Sequence, residues 1–412
     1  MIRRSLQIVA CIAIIWSVTA CGVVDDEPIT AQQSLVIVHP QEESGAAYLF
    51  AANKYLDRVY RVDLNTLAIA EIKVGNEPKS ITASPDGELV AVANQGSKTI
   101  TVIRSSSLVK QTIETGFAPA DLRFSPDGNW LAVANLENET VNLIDSHSGE
   151  IWEVWVGGGP TSLAFDPTSA YVAVACYYEN GIKIVSVAEK SVVYDWTGYS
   201  ELQRPQVVTF SPTADPRTGT LLVVGLHEDP YIENAESYAD SIVVLTLESG
   251  WYENSEEYVP DLDVVRAGPN PRGFLWNEAG DTLVAINHTF EDWDSSYNID
   301  TVSMLSVAGG QVEEERRFAV GSDPIAAALS PVEDVVAVAN HDDASVSVLD
   351  LVDYSSRDFS TAVRPFAVAF TESGHKVVVV HDSALMPLSV IDLRDGSSKV
   401  VYESLSMNDW IE

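Results

Sequence analysis

Three segments of the sequence combine histidine with carboxylates, and they are where ligand chemistry is most expected. Each segment follows an apolar run that predicts a β-strand, and they begin at His227, His288 and His341. Imidazole nitrogens and carboxylate oxygens bind divalent cations, with oxygen ligands favouring Ca²⁺ and imidazoles favouring Zn²⁺. The candidate ligand or metal face therefore comprises His227, Glu228, Asp229, Tyr231, His288, Asp292, Trp293, Asp294, His341, Asp342 and Asp343.

These segments allow three interpretations. Long loops of an acidic protein carry carboxylates by default, so the first is an acidic surface with no ligand. The second is a site for a cation or small molecule, where Tyr231, Trp293 and Tyr297 would offer flat apolar surfaces. The third is catalysis. A shared zinc ion requires the imidazoles to meet at one point, because zinc–nitrogen bonds are about 2.0–2.1 Å long.

No familiar catalytic motif accompanies these segments. The sequence contains no Gly-x-Ser-x-Gly, His-Glu-x-x-His or phosphate-binding glycine loop, and no Cys-x-x-Cys-His haem-attachment motif. Cys176 follows an apolar run, where cysteine is usually a small buried hydrophobe and only occasionally a reactive thiol. We therefore leave catalytic residues unassigned and favour a protein that is not an enzyme.

The net charge of the chain limits the classes of partner that it can bind. The 412 residues include 24 basic and 60 acidic side chains, a net charge of −36. Such a surface repels phosphate backbones, so we expect no nucleic-acid partner, and it disfavours direct docking on anionic membranes. It attracts cations and basic groups. The expected partners are an envelope protein, a small molecule or a cation, and no cofactor is required.

The amino terminus predicts export and lipid attachment. Arg3 and Arg4 precede an apolar stretch, Leu6 to Trp16, which is shorter than the ~20 residues of a transmembrane helix and suits a signal peptide. Small residues then lead to Cys21, in a pattern that resembles the lipobox of bacterial lipoproteins, where the cysteine carries a diacylglycerol. An ordinary signal peptide with an incidental cysteine is the alternative.

These features predict a three-part chain. Residues 1–20 form the signal peptide, residues 21–33 the lipidated cysteine and a flexible tether, and residues 34–412 a single domain. Gly22 is not the aspartate of a retention signal, so we expect the outer membrane if the cell has two membranes. Cys176 alone remains in the domain, which excludes an intrachain disulfide.

An internal repeat of about 41 residues predicts the fold. Ala83–Asn94 and Phe124–Asn135 align without a gap, and both contain Ser-Pro-Asp-Gly before an apolar run ending in Val-Ala-Asn. Each unit divides into four strands, of which the second is almost entirely apolar and so buried on both faces. Such sheets pack radially as the blades of a β-propeller. A proline begins each unit: Pro78, Pro119, Pro160, Pro205, Pro271, Pro324 and Pro365.

Val-Ala-Asn, Ser-Pro-Asp-Gly and Thr-Val-x-Leu-Ile-Asp together resemble the YVTN family of β-propeller repeats, over residues 46–403. That family includes surface-layer proteins and propellers of lactonase-like or haem-associated enzymes. The resemblance therefore implies a fold and little about function. The repeated aspartate is expected to hold a turn, and the asparagine to hydrogen-bond backbone groups of its loop.

The number of blades has two interpretations. The chain before Pro78 contains a further set of predicted strands, and with seven proline-headed units this favours eight blades over seven. That set comprises Leu35–Val38, Tyr48–Asn53, Val59–Asp63 and Ile69–Val74. In the last unit the fourth strand is predicted at Val400–Leu405.

The leading functional hypothesis is an envelope-anchored lipoprotein that acts as a non-catalytic binding or scaffold module through its loop-bearing face. The alternative is a lactonase-like hydrolase in which a metal activates water. A periplasmic redox accessory protein is a weaker third option, because the haem-attachment motif is missing.

Overall fold

The computed structural model describes residues 35–38, 47–54, 56–66, 68–212, 219–227, 241–248, 251, 260–288, 300–361, 363–371, 373–381 and 388–401. Its regular elements are 32 β-strands in eight antiparallel sheets of four strands each. In these residues there is no helix with the length and apolarity needed to cross a membrane.

The first four blades use the chain from Leu35 to Thr197. Blade 1 comprises β1 (Leu35–Val38), β2 (Tyr48–Asn53), β3 (Arg58–Asp63) and β4 (Ile69–Lys73). Blade 2 comprises β5 (Pro78–Ala83), β6 (Leu89–Asn94), β7 (Thr99–Arg104) and β8 (Lys110–Glu114). Blade 3 comprises β9 (Pro119–Phe124), β10 (Trp130–Asn135), β11 (Thr140–Asp145) and β12 (Ile151–Trp155). Blade 4 comprises β13 (Pro160–Phe165), β14 (Tyr171–Cys176), β15 (Gly181–Ser186) and β16 (Ser191–Thr197).

The last four blades use the chain from Pro205 to Val401. Blade 5 comprises β17 (Pro205–Phe210), β18 (Thr220–Leu226), β19 (Ser241–Leu247) and β20 (Asp261–Arg266). Blade 6 comprises β21 (Pro271–Trp276), β22 (Thr282–Asn287), β23 (Thr301–Ala308) and β24 (Gln311–Ala319). Blade 7 comprises β25 (Pro324–Leu329), β26 (Val335–Asn340), β27 (Ser345–Asp350) and β28 (Ser356–Ser360). Blade 8 comprises β29 (Pro365–Phe370), β30 (Lys376–His381), β31 (Leu388–Asp392) and β32 (Ser397–Val401).

The eight sheets are the blades of one β-propeller, so the prediction of eight is confirmed and the alternative of seven is wrong. First strands of neighbouring blades contact each other, as β5 does with β9 and β13 with β17. The ring is closed by β1, which contacts both β5 and β29. Each blade is one unbroken stretch of chain with its strands in sequential order.

The core lies between the blades. Second strands are buried on both faces, as predicted, because each face packs against a neighbouring sheet. Between blades 3 and 4, for example, Ala132 and Leu143 join Leu163 and Val174 in one buried cluster. Fully burying a leucine or valine contributes about 1.5–3 kcal/mol, so repetition of this interface around the ring is the main source of stability.

The Ser-Pro-Asp-Gly turns take their predicted role. Gly87 and Gly128 have φ of 71° and 75°, the region that glycine adopts without strain. Asp127 accepts hydrogen bonds from the Ser125 hydroxyl (2.6 Å) and the Asn129 amide (3.0 Å). Burial works against its ionisation, yet these bonds lower the pKa of Asp127 below its usual range. This aspartate is a turn residue.

The repeated asparagine bonds its loop backbone in blade 1, where Asn53 Oδ1 accepts the Leu56 amide (3.1 Å), but differs from this prediction in other blades. Asn94 does not bond the loop backbone; its amide donates to the hydroxyls of Thr101 (2.9 Å) and Thr99 (3.2 Å) on the third strand. Asn340 does the same with Ser345 and Ser347. A Cβ on Gly75 would lie 2.8 Å from the Asn94 side chain, so the glycine three residues before the proline leaves room for the amide.

The last strand also differs from its prediction. Instead of Val400–Leu405 it spans Ser397–Val401. The hairpin closes early because Gly396 has a φ of 72° and the Ser397 amide donates to Asp395 Oδ1 (2.8 Å).

The residues beside each proline lie at the end of the ring that also carries the loops after the second strands. The residue before the proline has a positive φ in six blades: Glu77, Ala118, Gly159, Arg204, Asn270 and Asp323. Its carbonyl accepts the amide of the residue after the second strand, as from His341 to Asp323 (2.9 Å). The residue after the proline sits in a β-bulge, as Arg272 does between Pro271 and Gly273. We call this end the loop-bearing face.

Candidate functional site

The predicted ligand face lies only partly within the described residues. His227, His288, His341, Asp342 and Asp343 are described. Outside the described residues lie Cys21 and the loop residues Glu228, Asp229, Tyr231, Asp292, Trp293 and Asp294.

Two of the predicted histidines meet at one carboxylate that the sequence analysis did not select. His288, after the second strand of blade 6, places Nε2 3.4 Å from Oδ1 of Asp323. His341, at the matching position of blade 7, places Nδ1 3.5 Å from Oδ2 of the same residue. Asp323 is the positive-φ residue before Pro324, a conformation that aspartate tolerates better than most residues. Its amide donates to Asp300 Oδ2 (2.7 Å), which holds the turn.

A buried arginine contacts the same carboxylate. Arg272, the bulge residue of blade 6, donates from Nη1 to Asp323 Oδ1 (3.2 Å). We call Arg272, His288, Asp323 and His341 the Asp323 cluster. Their side chains are between 13% and 24% exposed, so the cluster is accessible from solvent yet largely desolvated.

The cluster shifts the ionisation of its members. Burial alone would raise the pKa of Asp323, but the hydrogen bonds from both histidines and the charge of Arg272 together hold it well below its usual range. The hydrogen bond to Asp323 raises the pKa of His341, against the smaller effect of burial. Burial lowers the pKa of Arg272, which remains a cation because guanidinium pKa values exceed ~12. The cluster thus places an ionised carboxylate beside the guanidinium of Arg272 and the imidazoles of His288 and His341.

His227 belongs to a separate network one blade away. Its Nδ1 lies 3.0 Å from Oδ1 of Asn270, the positive-φ residue before Pro271. Gln206, the bulge residue of blade 5, donates to the same Oδ1 (2.8 Å) and to the carbonyl of Pro271 (2.9 Å). Because that amide oxygen only accepts, His227 Nδ1 carries the proton. Of the three imidazoles that a shared zinc ion would require at one point, two contact Asp323 and the third bonds Asn270.

The two acidic residues after His341 have different surroundings. Asp342 Oδ1 lies 3.2 Å from His341 Nδ1 and 3.6 Å from Nη2 of Arg364 in blade 8. Asp343 Oδ2 accepts a hydrogen bond from the backbone amide of Ser322 (2.8 Å), which fixes the segment that leads into blade 7. Asp342 thus belongs to the edge of the cluster, and Asp343 holds the backbone.

A metal ion is geometrically possible at this place. Ligand atoms of Asp323, His341 and Asp342 lie within 4.8 Å of one another. Electrostatics oppose the ion, since Asp323 already faces Arg272 and a metal would need the His341 nitrogen without its proton. We therefore consider a cation the weaker occupant.

Cys176 is buried, as predicted. It is fully shielded from solvent, and burial raises the pKa of its thiol to about 12. A thiol that stays protonated at neutral pH is a poor nucleophile and a poor metal ligand.

Comparison with known proteins agrees with the fold. The family model of YNCE-like beta-propellers matches residues 12–200. The resemblance to propeller repeats is confirmed. No curated protein matches the chain significantly.

Solved structures that resemble this propeller have diverse activities. Kuenenia stuttgartiensis hydrazine synthase is 18% identical with a TM-score of 0.56, covering 80% of this chain and 96% of that one. The dihydro-heme d1 dehydrogenase NirN, in complex with DHE, is 14% identical with a TM-score of 0.63, covering 89% and 77%. A candidate 6-phosphogluconolactonase from Bacteroides uniformis is 12% identical with a TM-score of 0.53, covering 80% and 97%. Identities this low show a shared fold alone.

The sequence analysis missed the central residues of the site, namely Asp323, Arg272 and Asn270. All three lie beside the prolines that head the repeats, at positions whose residue type changes from blade to blade. The signal that indicates them is a residue type that varies from blade to blade next to the repeated proline. Histidines and acidic loops, which were used above, do not indicate these positions.

Proposed function

We propose that this protein is a non-catalytic ligand-binding lipoprotein of the cell envelope, anchored through Cys21, which binds its ligand on the loop-bearing face at blades 5 to 7. The observation that carries the proposal is the convergence of His288, His341 and Arg272 on Asp323. Two neighbouring blades bring four ionisable side chains together in a largely desolvated place. Removing such groups from water costs free energy, and a structural turn would not need all four. Such costs are typical of functional sites.

The ligand-binding part is tested with variants that keep the blades intact. A thermal-shift panel of small carboxylates, phosphate, neutral sugars, Ca²⁺ and Zn²⁺ should contain a compound that stabilises the protein. Replacing His341 with Ala should weaken that effect at least fivefold. The matched control is His147→Ala, an exposed histidine of blade 3. A panel without any binder, or equal loss in both variants, contradicts the proposal.

The anchoring part has its own test. We expect mass spectrometry of the exported protein to find a diacylglyceryl group on Cys21 and no preceding residue. Cys21→Ala should release the protein from membranes or stall its processing. A mature terminus at another position contradicts the anchor and leaves the ligand site untouched.

A metal-assisted hydrolase is the second candidate, favoured by the three ligand atoms of Asp323, His341 and Asp342. In that case calorimetry should detect one Zn²⁺ or Ca²⁺ per chain, and Asp342→Asn should abolish the heat. Asp343→Asn is the control, because its carboxylate bonds a backbone amide. Lactone hydrolysis that requires the same ion would favour this candidate over the binding protein.

A further inference from the structure

We propose that Arg272 binds the carboxylate of a small organic acid on the loop-bearing face, an inference that rests on the proposed ligand-binding function and names its ligand class. The starting observation is the hydrogen bonding of this guanidinium. Among the described residues Arg272 makes one hydrogen bond, from Nη1 to Asp323. Its Nε is buried and has no hydrogen-bond partner in the part of the chain that the structure describes. An arginine has five N–H donors, so most of its binding capacity is unused.

The unused edge of Arg272 is the one that binds carboxylates elsewhere in this protein. Arg317 of blade 6 donates from Nε and Nη2 to both oxygens of Glu314, each at 2.9 Å. Arg394 uses the same two atoms to hold Asp392. These parallel donors match the spacing of carboxylate oxygens. In Arg272 that edge has no such partner in the described residues, while 17% of the side chain is exposed.

A second polar group with an unused donor lies on the same segment of chain. Asn270, two residues before Arg272, is fully buried, and its Nδ2 has no hydrogen-bond partner among the residues that the structure describes. Its orientation is set, because Oδ1 accepts from Gln206 and His227 and Nδ2 must then be the donor. A buried donor without a partner costs free energy, because it has lost its hydrogen bonds to water. Two such donors in one short segment suit a ligand that offers several acceptor oxygens.

The charges around Arg272 are close to balance although the whole chain is strongly acidic. The surroundings of Arg272 contain the cation Arg364 and His341, whose pKa is raised, against the carboxylates of Asp323, Asp300 and Asp342. An added carboxylate shares Arg272 with Asp323 and supplies acceptors to Nε and Nη2. A metal ion would be repelled by the same guanidinium. A singly charged acid fits better than phosphate, because Asp323 already neutralises part of the positive charge.

The experiment uses the full chain and three probes at constant ionic strength: lactate, acetate and inorganic phosphate. Calorimetry should show saturable binding of a carboxylate at least tenfold tighter than that of phosphate. Arg272→Lys keeps the charge and removes the paired donors, so it should weaken carboxylate binding at least tenfold. The matched control is Arg317→Lys on the same blade, whose donors are already used by Glu314; it should bind like the unaltered protein.

A second measurement avoids reliance on a variant that fails to fold. In the unaltered protein, NMR of arginine Nε–H groups should show the Arg272 signal shifting on titration with the carboxylate while that of Arg317 stays fixed. Phosphate binding as tight as the acids, equal loss in both lysine variants, or an unmoved Arg272 signal overturns the inference. If another ligand binds in an His341-dependent manner while carboxylates fail, the proposed function survives and this ligand class does not.

Discussion

The carboxylate of Asp323 governs the ionisation of its neighbours. In Asp323→Asn the hydrogen bond and charge that raise the pKa of His341 are lost, so that pKa should fall towards its ordinary value of 6.5. The free energy of unfolding should fall by about 2 kcal/mol, because Arg272 loses its anionic partner. NMR titration of the imidazole and urea unfolding measure the two effects. Asp343→Asn is the control, and an unchanged His341 pKa in Asp323→Asn would refute the account.

The thiol of Cys176 should be inert in the folded protein. Burial and a pKa of about 12 leave almost no thiolate at neutral pH. A bulky thiol reagent should therefore label the protein only after denaturation. Cys176→Asn should lower the free energy of unfolding by about 1–3 kcal/mol, because Gly181 and Lys183 stand where the hydroxyls that hold Asn94 stand in blade 2. Rapid labelling of the native protein would show that the site is open.

At the residue scale the sequence indicated which residues are unusual in the repeat, but not which side chains they contact. The sequence selected His288 and His341 because histidine after a strand departs from the repeat, and the structure places both beside one carboxylate. Their common partner Asp323 was not selected, since a lone aspartate before a proline is indistinguishable from a turn residue. The separation of His227 was also missed, because it depends on Asn270 in the neighbouring blade.

The second strand of blade 8 ends in a histidine that should make the protein sensitive to acid. His381 is 2% exposed; Nε2 lies 2.7 Å from the Ser389 hydroxyl and Nδ1 3.0 Å from the Val363 carbonyl. Burial lowers the pKa of His381 below 6.5, so the unfolded chain binds its proton more readily than the folded one. The contribution of His381 to the free energy of unfolding is therefore fully present above pH 6.5 and is lost as the pH falls below that value.

The matching variant isolates this effect. His381→Asn replaces the histidine with the residue of the sister blades, so its melting temperature should fall less between pH 7 and pH 5 than that of the unaltered protein. Parallel declines in the two proteins would show that other groups cause the acid sensitivity.

One buried carboxylate joins three neighbouring blades. Asp121 in β9 is fully buried and accepts the hydroxyl of Ser80 in blade 2 (2.9 Å) and the amide of Leu163 in blade 4 (3.0 Å). Asp121→Ala should lower the free energy of unfolding by about 3 kcal/mol, because donors on both sides lose their acceptor. Asp127→Ala, in the exposed turn of the same blade, should cost about 1 kcal/mol or less. Urea unfolding compares them, and equal costs would contradict the joining role.

At the scale of elements the repeat predicted most strands, because alternation and turn residues are local signals. The exception was β32, which was predicted at Val400–Leu405 and spans Ser397–Val401. Its start is set by the turn before it and not by its apolar residues. The loops that carry half of the candidate face have no repeat to follow, so no local pattern predicts their contacts.

At the scale of the whole molecule, blades 1 and 8 meet without a connecting peptide. Their boundary is held by side chains such as Leu49 and Tyr60 of blade 1 against Phe366 and Leu388 of blade 8. Local opening should therefore begin at this boundary. Hydrogen exchange should be faster in β2 and β30 than in β10 and β14, although all four strands are buried. Equal protection of the four strands would show that the ring opens as a single unit.

The unbroken blades have a consequence for how such a ring can be encoded. Since no blade borrows a strand from another, a circularly permuted gene that starts at Pro160 still encodes eight complete sheets. Only the place of the unlinked boundary changes, from between blades 8 and 1 to between blades 3 and 4. The order of the blades along the gene is thus free to rotate while every contact between neighbours is kept.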